Sequence, residues 1–292
     1  MKKLIIFYTS IIFFVMIGVV LADVISKNPN YLKRGKIDKV HIANYLKKEL
    51  RKHNYSIIKD PTGTSPFKLI ENFSPRKGDC GTAGHFWREN KVKIGTGTTD
   101  CNSNRLRLEV ASSGDIRIGK KAKEIWVGYY FYVPNTPDNF KDKLLQPYIT
   151  QFYSVNRKGG QTVGGYAPQF SASIYNGKLS IEGNHVIDEE NLKGKWHKVE
   201  FNIRYSKQYD GFIKVYINDE LKVNRSGFKT ASHDYVDIKY GTYSHPEYGG
   251  ASYPEGYQFP SHTIYFAGFS MNKDRSKSVS YTHLTLPTIP TV

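Results

Sequence analysis

The sequence has few of the residues on which metal, redox and nucleotide chemistry usually depend. It contains two cysteines, Cys80 and Cys101, and they lack the close spacing of a zinc site. It has no glycine-rich phosphate loop. No acidic loop shows the ligand spacing of a calcium site, so a structural calcium ion is not indicated. The sequence therefore predicts a protein with no cofactor and no metal.

Long hydrophobic runs are also scarce, and the only one near membrane-spanning length lies at residues 4–20. Lys2 and Lys3 precede this run, and small residues follow it up to Asp23, as in a signal peptide at residues 1–22. The alternative is a retained membrane anchor. We expect a secreted or periplasmic monomer that does not contact the membrane after cleavage. An oxidising compartment favours a disulfide between Cys80 and Cys101 over two free thiols.

Acidic residues are outnumbered by basic ones, 26 to 42, which gives a formal charge of +16. Removal of a signal peptide with Lys2 and Lys3 lowers the charge to +14. An exported protein rarely meets nucleic acid, so a positive field of this size fits an anionic polysaccharide better. An AT-rich genome would also raise the lysine content, so the charge by itself is weak evidence.

The spacing of hydrophobic residues changes along the chain and divides it into segments of different predicted structure. Residues 23–54 predict a linker and one amphipathic helix, Ile37–His53. From Tyr55 onward, hydrophobic residues recur at every second position, as in β-strands. The Asn176-Gly177 pair between apolar runs predicts a hairpin. The uncharged stretch at residues 280–292 predicts a non-native tail derived from adapter sequence. Residues 55–279 therefore predict an all-β sandwich or barrel, with candidate strands at Arg105–Val110, Ile125–Val133, Tyr148–Ser154, Gln169–Tyr175, Lys178–Glu182, Trp196–Arg204, Gly211–Ile217, Val236–Tyr243 and Thr263–Phe269.

Two of these strands carry polar residues that indicate chemistry. Arg105, Arg107 and Glu109 alternate, so two guanidiniums on one face are suited to planar carboxylates or sulfates. The alternative is a surface ladder in which Glu109 neutralises one arginine. Gln151 and Tyr153 share one face of another strand, and a buried amide needs partners. A glutamine on an exposed face is the simpler alternative.

The stretch around Lys239 forms the third polar group. Lys239 and Tyr243 lie two strand steps apart on one face, about 13 Å along the backbone, and Gly241 between them gives a ligand room to approach. Tyr240 and His245 are further candidates for substrate contact. The stretch is otherwise an ordinary edge strand, and the remaining loop histidines, His185 and His233 among them, are predicted to be solvated.

Several segments, in order, resemble the heparin lyase I-like group and the related alginate and glucuronan lyases. They are IIKDPTGTSPFKLIENFSPRKGDCG, DCNSNRLRLEV, ITQFY, KWHKVEFNIRYS with DGFIKVYINDE, and IKYGTY, between about Ile57 and Phe269. The resemblance implies a β-jelly-roll of the concanavalin A-like kind. It also implies β-elimination on a uronate-containing polysaccharide, with Arg105 or Arg107 and Gln151 neutralising the uronate carboxylate. Tyr243 would then be the acid, and Lys239 would hold an acidic group.

The sequence departs from the pattern of this group at two points. Relatives carry Gln-x-His where this chain has Gln151-Phe152-Tyr153, so Tyr153 replaces the histidine base or Tyr243 makes both proton transfers. Relatives also read R-x-E-R or R-S-E, and the spacing of Arg105, Arg107 and Glu109 leaves the register of the arginines open.

The missing histidine favours one alternative function, a non-catalytic, lectin-like sandwich that binds carbohydrate. A glycoside hydrolase would need two carboxylates across a cleft, and no strand carries a convincing pair. We therefore expect a polysaccharide lyase.

Overall fold

The computed structural model describes residues 55–77, 106–111, 116–118, 122–136, 140, 145–158, 161–164, 168–244 and 259–277. These residues belong to one of the two units of the chain, residues 37–292. They form fifteen strands, a short helix (Glu189–Leu192) and a 3₁₀ turn (Arg275–Lys277). The strands are β1 (Tyr55–Lys59), β2 (Leu69–Phe73), β3 (Leu106–Ala111), β4 (Ile116–Arg117), β5 (Lys123–Tyr132), β6 (Tyr148–Lys158), β7 (Gln161–Gly164), β8 (Pro168–Tyr175), β9 (Lys178–Ile181), β10 (Asn184–Ile187), β11 (Trp196–Tyr205), β12 (Gly211–Ile217), β13 (Glu220–Phe228), β14 (Tyr235–Ser244) and β15 (Ile264–Asn272).

The described strands form two antiparallel sheets. Sheet I has the order β10-β9-β8-β6-β14-β3, with β7 beside β6 and β4 beside β14. Sheet II has the order β1-β2-β15-β5-β11-β12-β13. The two sheets share one hydrophobic core, in which Phe152 of sheet I packs on Phe201 of sheet II with ring centroids 4.8 Å apart. This confirms the all-β sandwich.

Strand β5 is central in sheet II, between β15 and β11, as its apolar residues on both faces predict. Its Tyr129 reaches across the core and accepts a hydrogen bond from Thr150 Oγ1 of sheet I at 2.6 Å. This bond satisfies two buried hydroxyls between the sheets. The core therefore fixes the position of β6, which carries part of the site.

The predicted hairpin at Asn176-Gly177 is confirmed, because both residues have positive φ, 49° and 74°, as a type I′ turn requires. A second turn of this kind at Asn218-Asp219, with φ of 50° and 72°, joins β12 to β13. Strand β13 was not among the predicted strands, since its residues are almost all exposed and it lies at the edge of sheet II.

Several sequence predictions lie outside the described residues. They include the signal peptide at residues 1–22, the linker and helix at residues 23–54, and the tail at residues 280–292. The proposed disulfide partners Cys80 and Cys101, together with Arg105 and His245, also lie there. Among the described residues, no helix has the length and hydropathy needed to cross a membrane.

Candidate active site

The candidate site lies on the outer face of sheet I, where β14 pairs with β6 on one side and β3 on the other. Lys239 lies opposite Gln151, while Tyr243 lies opposite both Tyr148 and Arg107. Residues that face each other across antiparallel strands project to the same side of the sheet. We call this surface the site face; its side chains are Arg107, Glu109, Tyr148, Gln151, Tyr153, Lys239 and Tyr243.

Tyr243 lies at the centre of the site face and is only 5% exposed. The Arg107 guanidinium lies 4.2 Å from the centre of its ring, a cation–π contact. On the other side, Tyr148 stacks on the same ring with a centroid distance of 6.0 Å. Two neighbours therefore fix the orientation of the phenol.

Arg107 also approaches Glu109, with Nε 4.0 Å from Oε2. Glu109 is 1% exposed, whereas the Arg107 side chain is 16% exposed. The pairing that the sequence offered as an alternative is therefore present. The guanidinium also lies against the Tyr243 ring, and the side chain as a whole is still partly exposed, so it can meet a substrate anion as well.

Tyr153 is held in its protonated form. Burial raises the pKa of its phenol above the usual 10, and the negative charge of Glu109 raises that pKa further, while Arg107 opposes the shift. The ammonium of Lys239 lies 4.5 Å from the centre of the Tyr153 ring. At neutral pH this phenol can donate a hydrogen bond but is a poor base.

Gln151 is 1% exposed, although it lies on the outer face of the sheet. Within the described part of the chain, no donor reaches its Oε1 atom. An unpaired buried carbonyl oxygen costs about 1–3 kcal/mol. A ligand hydroxyl that donates to this atom would remove that cost, so Oε1 is an acceptor that no described residue satisfies.

Tyr240 was predicted to contact substrate, and this prediction is wrong. Its side chain is 2% exposed and points into the core, where its hydroxyl donates to the carboxylate of Glu71 at 2.8 Å. Its ring stacks on Phe269 with centroids 4.2 Å apart. Adjacent strand residues face opposite ways, so Lys239 on the site face places Tyr240 on the core side.

The space at Gly241 was assigned to a ligand, and the structure shows a different use. With φ of +135°, a Cβ atom there would lie 2.3 Å from the carbonyl oxygen of Leu108 and 2.8 Å from Phe73. The close approach is therefore made by the protein itself. Glycine at this position lets β14 pack closely on β3 and bulge on its β6 side.

The bulge shifts the pairing of β14 with β6 between Tyr240 and Tyr243. The shift places Tyr148 opposite Tyr243, a pairing that the sequence analysis missed. A matching irregularity between β6 and β8 turns Ile149 into the core. Register shifts of one residue leave no clear signal in the alternation of a single strand, so Tyr148 could be identified only from the folded sheet.

Thr242 follows Gly241 in the bulge, and its hydroxyl forms a hydrogen bond on the side of the sheet opposite to the site face. Its hydroxyl lies 2.6 Å from Nε2 of His262, and Nδ1 of that ring lies 3.0 Å from the carbonyl oxygen of Pro260. A neutral ring that donates from Nδ1 accepts from Thr242 at Nε2. Burial lowers the pKa of His262 to about 4. The site strand is therefore supported from behind by an uncharged histidine.

The site face thus contains Gln151, Tyr153, Lys239, Tyr243 and Arg107, as the sequence predicted for their positions. Their chemical roles remain predictions. In the described residues, no group of three or more histidine, cysteine, aspartate or glutamate side chains is placed to hold a metal ion.

Solved structures of other proteins are similar to this chain. The structure is similar to an endo-β-1,4-glucuronan lyase from the fungus Trichoderma reesei, with 13% identity, a TM-score of 0.50, and coverage of 77% of this chain and 89% of that one. It also matches the alginate lyase vAL-1 from Chlorella virus, with 10% identity, a TM-score of 0.43, and coverage of 75% and 89%. At 13% identity the first likeness shows a shared fold.

No curated protein sequence matches the chain significantly. The sequence profile of the family described as polysaccharide lyase matches residues 32–270. This span includes sheet I, sheet II apart from the last two residues of β15, and every described residue of the site face, and it covers most of the chain. The chain belongs to the polysaccharide lyase family.

Proposed function

We propose that this lyase cleaves an acidic polysaccharide at uronate residues by β-elimination and leaves an unsaturated sugar at the new non-reducing end. The observation that carries the proposal is the meeting of an amide, a guanidinium and a phenol, from Gln151, Arg107 and Tyr243, on one sheet face. Family membership supplies the reaction class, and the surplus of basic residues fits an anionic substrate.

The reaction removes the proton from C5 of a uronate, forms the C4–C5 double bond and breaks the bond between C4 and O4. Negative charge spreads into the carboxylate as the C5 proton leaves. Groups placed beforehand around that carboxylate stabilise the transition state more than the ground state. Another group must take the C5 proton, and O4 must receive a proton as it departs.

Arg107 and Gln151 are the groups that would bind the carboxylate. The guanidinium offers charged N–H donors in a planar arrangement. The amide of Gln151 would donate from its NH₂ group to the anion, and its Oε1 atom would accept from a neighbouring sugar hydroxyl. Tyr153, which keeps its proton, adds a neutral hydrogen-bond donor on the same face.

Tyr243 would make both proton transfers. The sequence left open whether Tyr153 or Tyr243 replaces the missing histidine base, and burial beside Glu109 disfavours ionised Tyr153. The Arg107 guanidinium lies against the Tyr243 ring, so charge on that phenolate is stabilised electrostatically. Tyr243 Oη takes the C5 proton and then donates it to O4, which regenerates the phenolate and requires both groups on the same side of the sugar.

Lys239 would bind an acidic group of the substrate beside this centre. Its ammonium lies over the Tyr153 ring, so it brings positive charge to the site face next to Gln151, its partner across the strands. Action on an external polysaccharide fits a secreted or periplasmic location. Fractionation of cells that express the full chain tests this part of the proposal.

Turnover is tested by the rise in ultraviolet absorbance that the new double bond produces on alginate, glucuronan or heparin-type substrates. We expect activity on at least one of them. Tyr243→Phe should lower kcat by about a hundredfold or more with little change in substrate binding. Tyr235→Phe is a matched control, because Tyr235 lies in the same strand beside an arginine, Arg117, at 5.9 Å, and it should stay within about twofold of the parent enzyme.

Absence of turnover on every acidic glycan, with the protein folded, would reject the proposal. Binding of a glycan with no turnover by the parent protein would instead support the lectin-like alternative.

A further inference from the structure

A row of aligned residues crosses sheet I from the candidate centre to the far edge strand. Tyr243 of β14 lies opposite Tyr148 of β6, and Tyr148 lies opposite Ser173 of β8. Ser173 lies opposite Ser180 of β9, which in turn lies opposite His185 of β10. Since each partner projects to the same side of the sheet, the row runs along the outer face across five strands.

The middle of this row is formed by small side chains. Ser173 is 2% exposed and Ser180 is 7% exposed, whereas Tyr148 at one end and His185 at the other have aromatic rings. The side chains between the two rings are therefore short, so a polysaccharide laid across the strands can contact both rings.

The ring of His185 is exposed but held in place. Its Nδ1 atom lies 2.8 Å from the hydroxyl oxygen of Ser180, and its ring is nearly parallel to that of Tyr175, at 15° and 6.5 Å. The hydroxyl of Ser180 is hydrogen-bonded to Nδ1 of His185. Within the described residues, no hydrogen bond is made at Nε2 of this ring. A fixed imidazole that keeps one nitrogen for solvent can bind a ligand with little loss of side-chain entropy.

The spacing of the row suits a polysaccharide. Neighbouring strands lie about 4.8 Å apart, so three strand steps from Tyr148 to His185 span about 14 Å. One strand spacing is close to the length of one pyranose unit in an extended 1,4-linked chain. A fourth step separates Tyr148 from Tyr243, so a chain whose cleaved unit lies at Tyr243 would place a unit about four positions away beside His185.

We propose that His185, held by Ser180 and Tyr175, is a distal subsite that binds an oxygen of an acidic sugar unit in the same polysaccharide chain. The inference rests on the proposed function, because it takes the chain to run from the reacting unit along this row. The subsite makes the enzyme select long chains. A short oligosaccharide bound at Tyr243 does not reach it.

The experiment compares His185→Ala with His233→Ala on a size-graded series of oligouronates from the trisaccharide upward. His233 is a matched control, since its Nδ1 also lies near a serine hydroxyl, that of Ser232 at 2.7 Å, but it is not part of the row. We expect His185→Ala to raise KM about tenfold for long oligomers with kcat unchanged. The trisaccharide should show no change, and His233→Ala should show none at any length.

Ser180→Ala should also raise KM more for long oligomers than for short ones, but by a smaller factor. The imidazole of His185 is still present in this variant and loses only the hydroxyl that holds it in place. Equal KM values for the His185 and His233 variants at every length would overturn the subsite. A loss of kcat at all lengths would do so too, since it would place His185 in the chemistry.

A binding measurement separates this inference from the proposed function. Calorimetry with a long oligouronate on Tyr243→Phe protein should show about tenfold weaker binding when His185→Ala is added. If the parent protein turns over no uronate glycan, the proposed function fails, while weaker binding by the double variant would still support the subsite. If turnover is present and the two proteins bind equally, the subsite alone is rejected.

Discussion

The outer faces of the two sheets contain similar residues, but they use them differently. On sheet II, Arg275 lies over the neighbouring rings of Trp126 and Tyr216, at 5.2 Å and 4.2 Å, and donates to the carboxylate of Glu200 at 3.0 Å. On sheet I, Arg107 lies over Tyr243 at the same 4.2 Å. An arginine on a tyrosine ring therefore does not by itself identify an active site.

The two buried amides show the difference more clearly. Asn202 on the outer face of sheet II donates from Nδ2 to the carboxylate of Glu124 at 2.9 Å. Gln151 on sheet I has an Oε1 atom that no described residue reaches. Sheet II satisfies its amide within the protein, whereas sheet I leaves one acceptor for a ligand. For this pair of amides, the difference lies in unmet hydrogen-bonding capacity.

The largest effect should follow from Arg107→Lys, compared with Arg275→Lys on the other sheet. Lysine keeps the charge but loses the planar set of donors. We expect Arg107→Lys to lower kcat/KM about a thousandfold, and Arg275→Lys to leave it within about twofold. Steady-state kinetics on the preferred uronate glycan measures both, and equal losses would mean that the two arginines have the same role.

Gly241→Ala should cause the next largest effect, with Gly227→Ala in β13 as its counterpart. An added Cβ at Gly241 meets the backbone oxygen of Leu108 at 2.3 Å, whereas nothing lies within 4 Å at Gly227, whose φ is +79°. We expect losses of about 3 kcal/mol or more at Gly241 and about 1 kcal/mol at Gly227 in the free energy of unfolding. Denaturant titration measures both, and similar losses would show that β3 moves aside easily.

The buried His262 predicts a dependence of stability on pH. Its pKa of about 4 lies below the usual histidine pKa of 6.5, so the unfolded chain binds more protons than the folded chain between these two pH values. Stability therefore falls as the pH drops from 6.5 to 4, by on the order of 3 kcal/mol for this residue. His262→Gln should remove most of that slope.

A smaller part of the slope should remain in this variant, because burial also lowers the pKa of His197. Chemical unfolding at a series of pH values tests the prediction. An unchanged slope in His262→Gln would contradict it.

The smallest effects should come from the two amides, and they should have opposite signs. Gln151→Met replaces an amide whose Oε1 atom accepts from no described residue with an apolar side chain of similar size. The protein should therefore gain about 1 kcal/mol of stability and lose activity. Asn202→Leu breaks a satisfied bond and should lose about 1 kcal/mol while activity is retained. Thermal melts and turnover assays of both variants provide the measurement, and a loss of stability in Gln151→Met would mean that the amide has a structural partner.

The sequence predicted much of the sandwich because hydrophobic alternation determines which side of a strand is buried. It placed Gln151 with Tyr153 and Lys239 with Tyr243 on shared faces, and the turn at Asn176 followed from local backbone chemistry. These features depend on neighbours in the chain. The family resemblance then indicated which faces belong together.

The features that the sequence did not reveal depend on contacts between distant segments. The partnership of Tyr148 with Tyr243 follows from a register shift. The space at Gly241 is filled by Leu108, which no local pattern indicates. Tyr240 was counted with its polar neighbours, although its hydroxyl bonds to Glu71, 169 residues away. The protonated state of Tyr153 likewise depends on burial by the assembled sheet.

The position of β3 has a consequence for how activity is lost. Of the described strands, only β14 pairs with β3, and β3 carries Arg107 and Glu109, while the site phenols lie on β14 and β6. Local opening of an edge strand requires less free energy than global unfolding. Backbone amides of β3 should therefore exchange with solvent deuterium sooner than those of β6. Mild heat or denaturant would then inactivate the enzyme by detaching its anion-binding strand, while the phenols and the sandwich core remain intact.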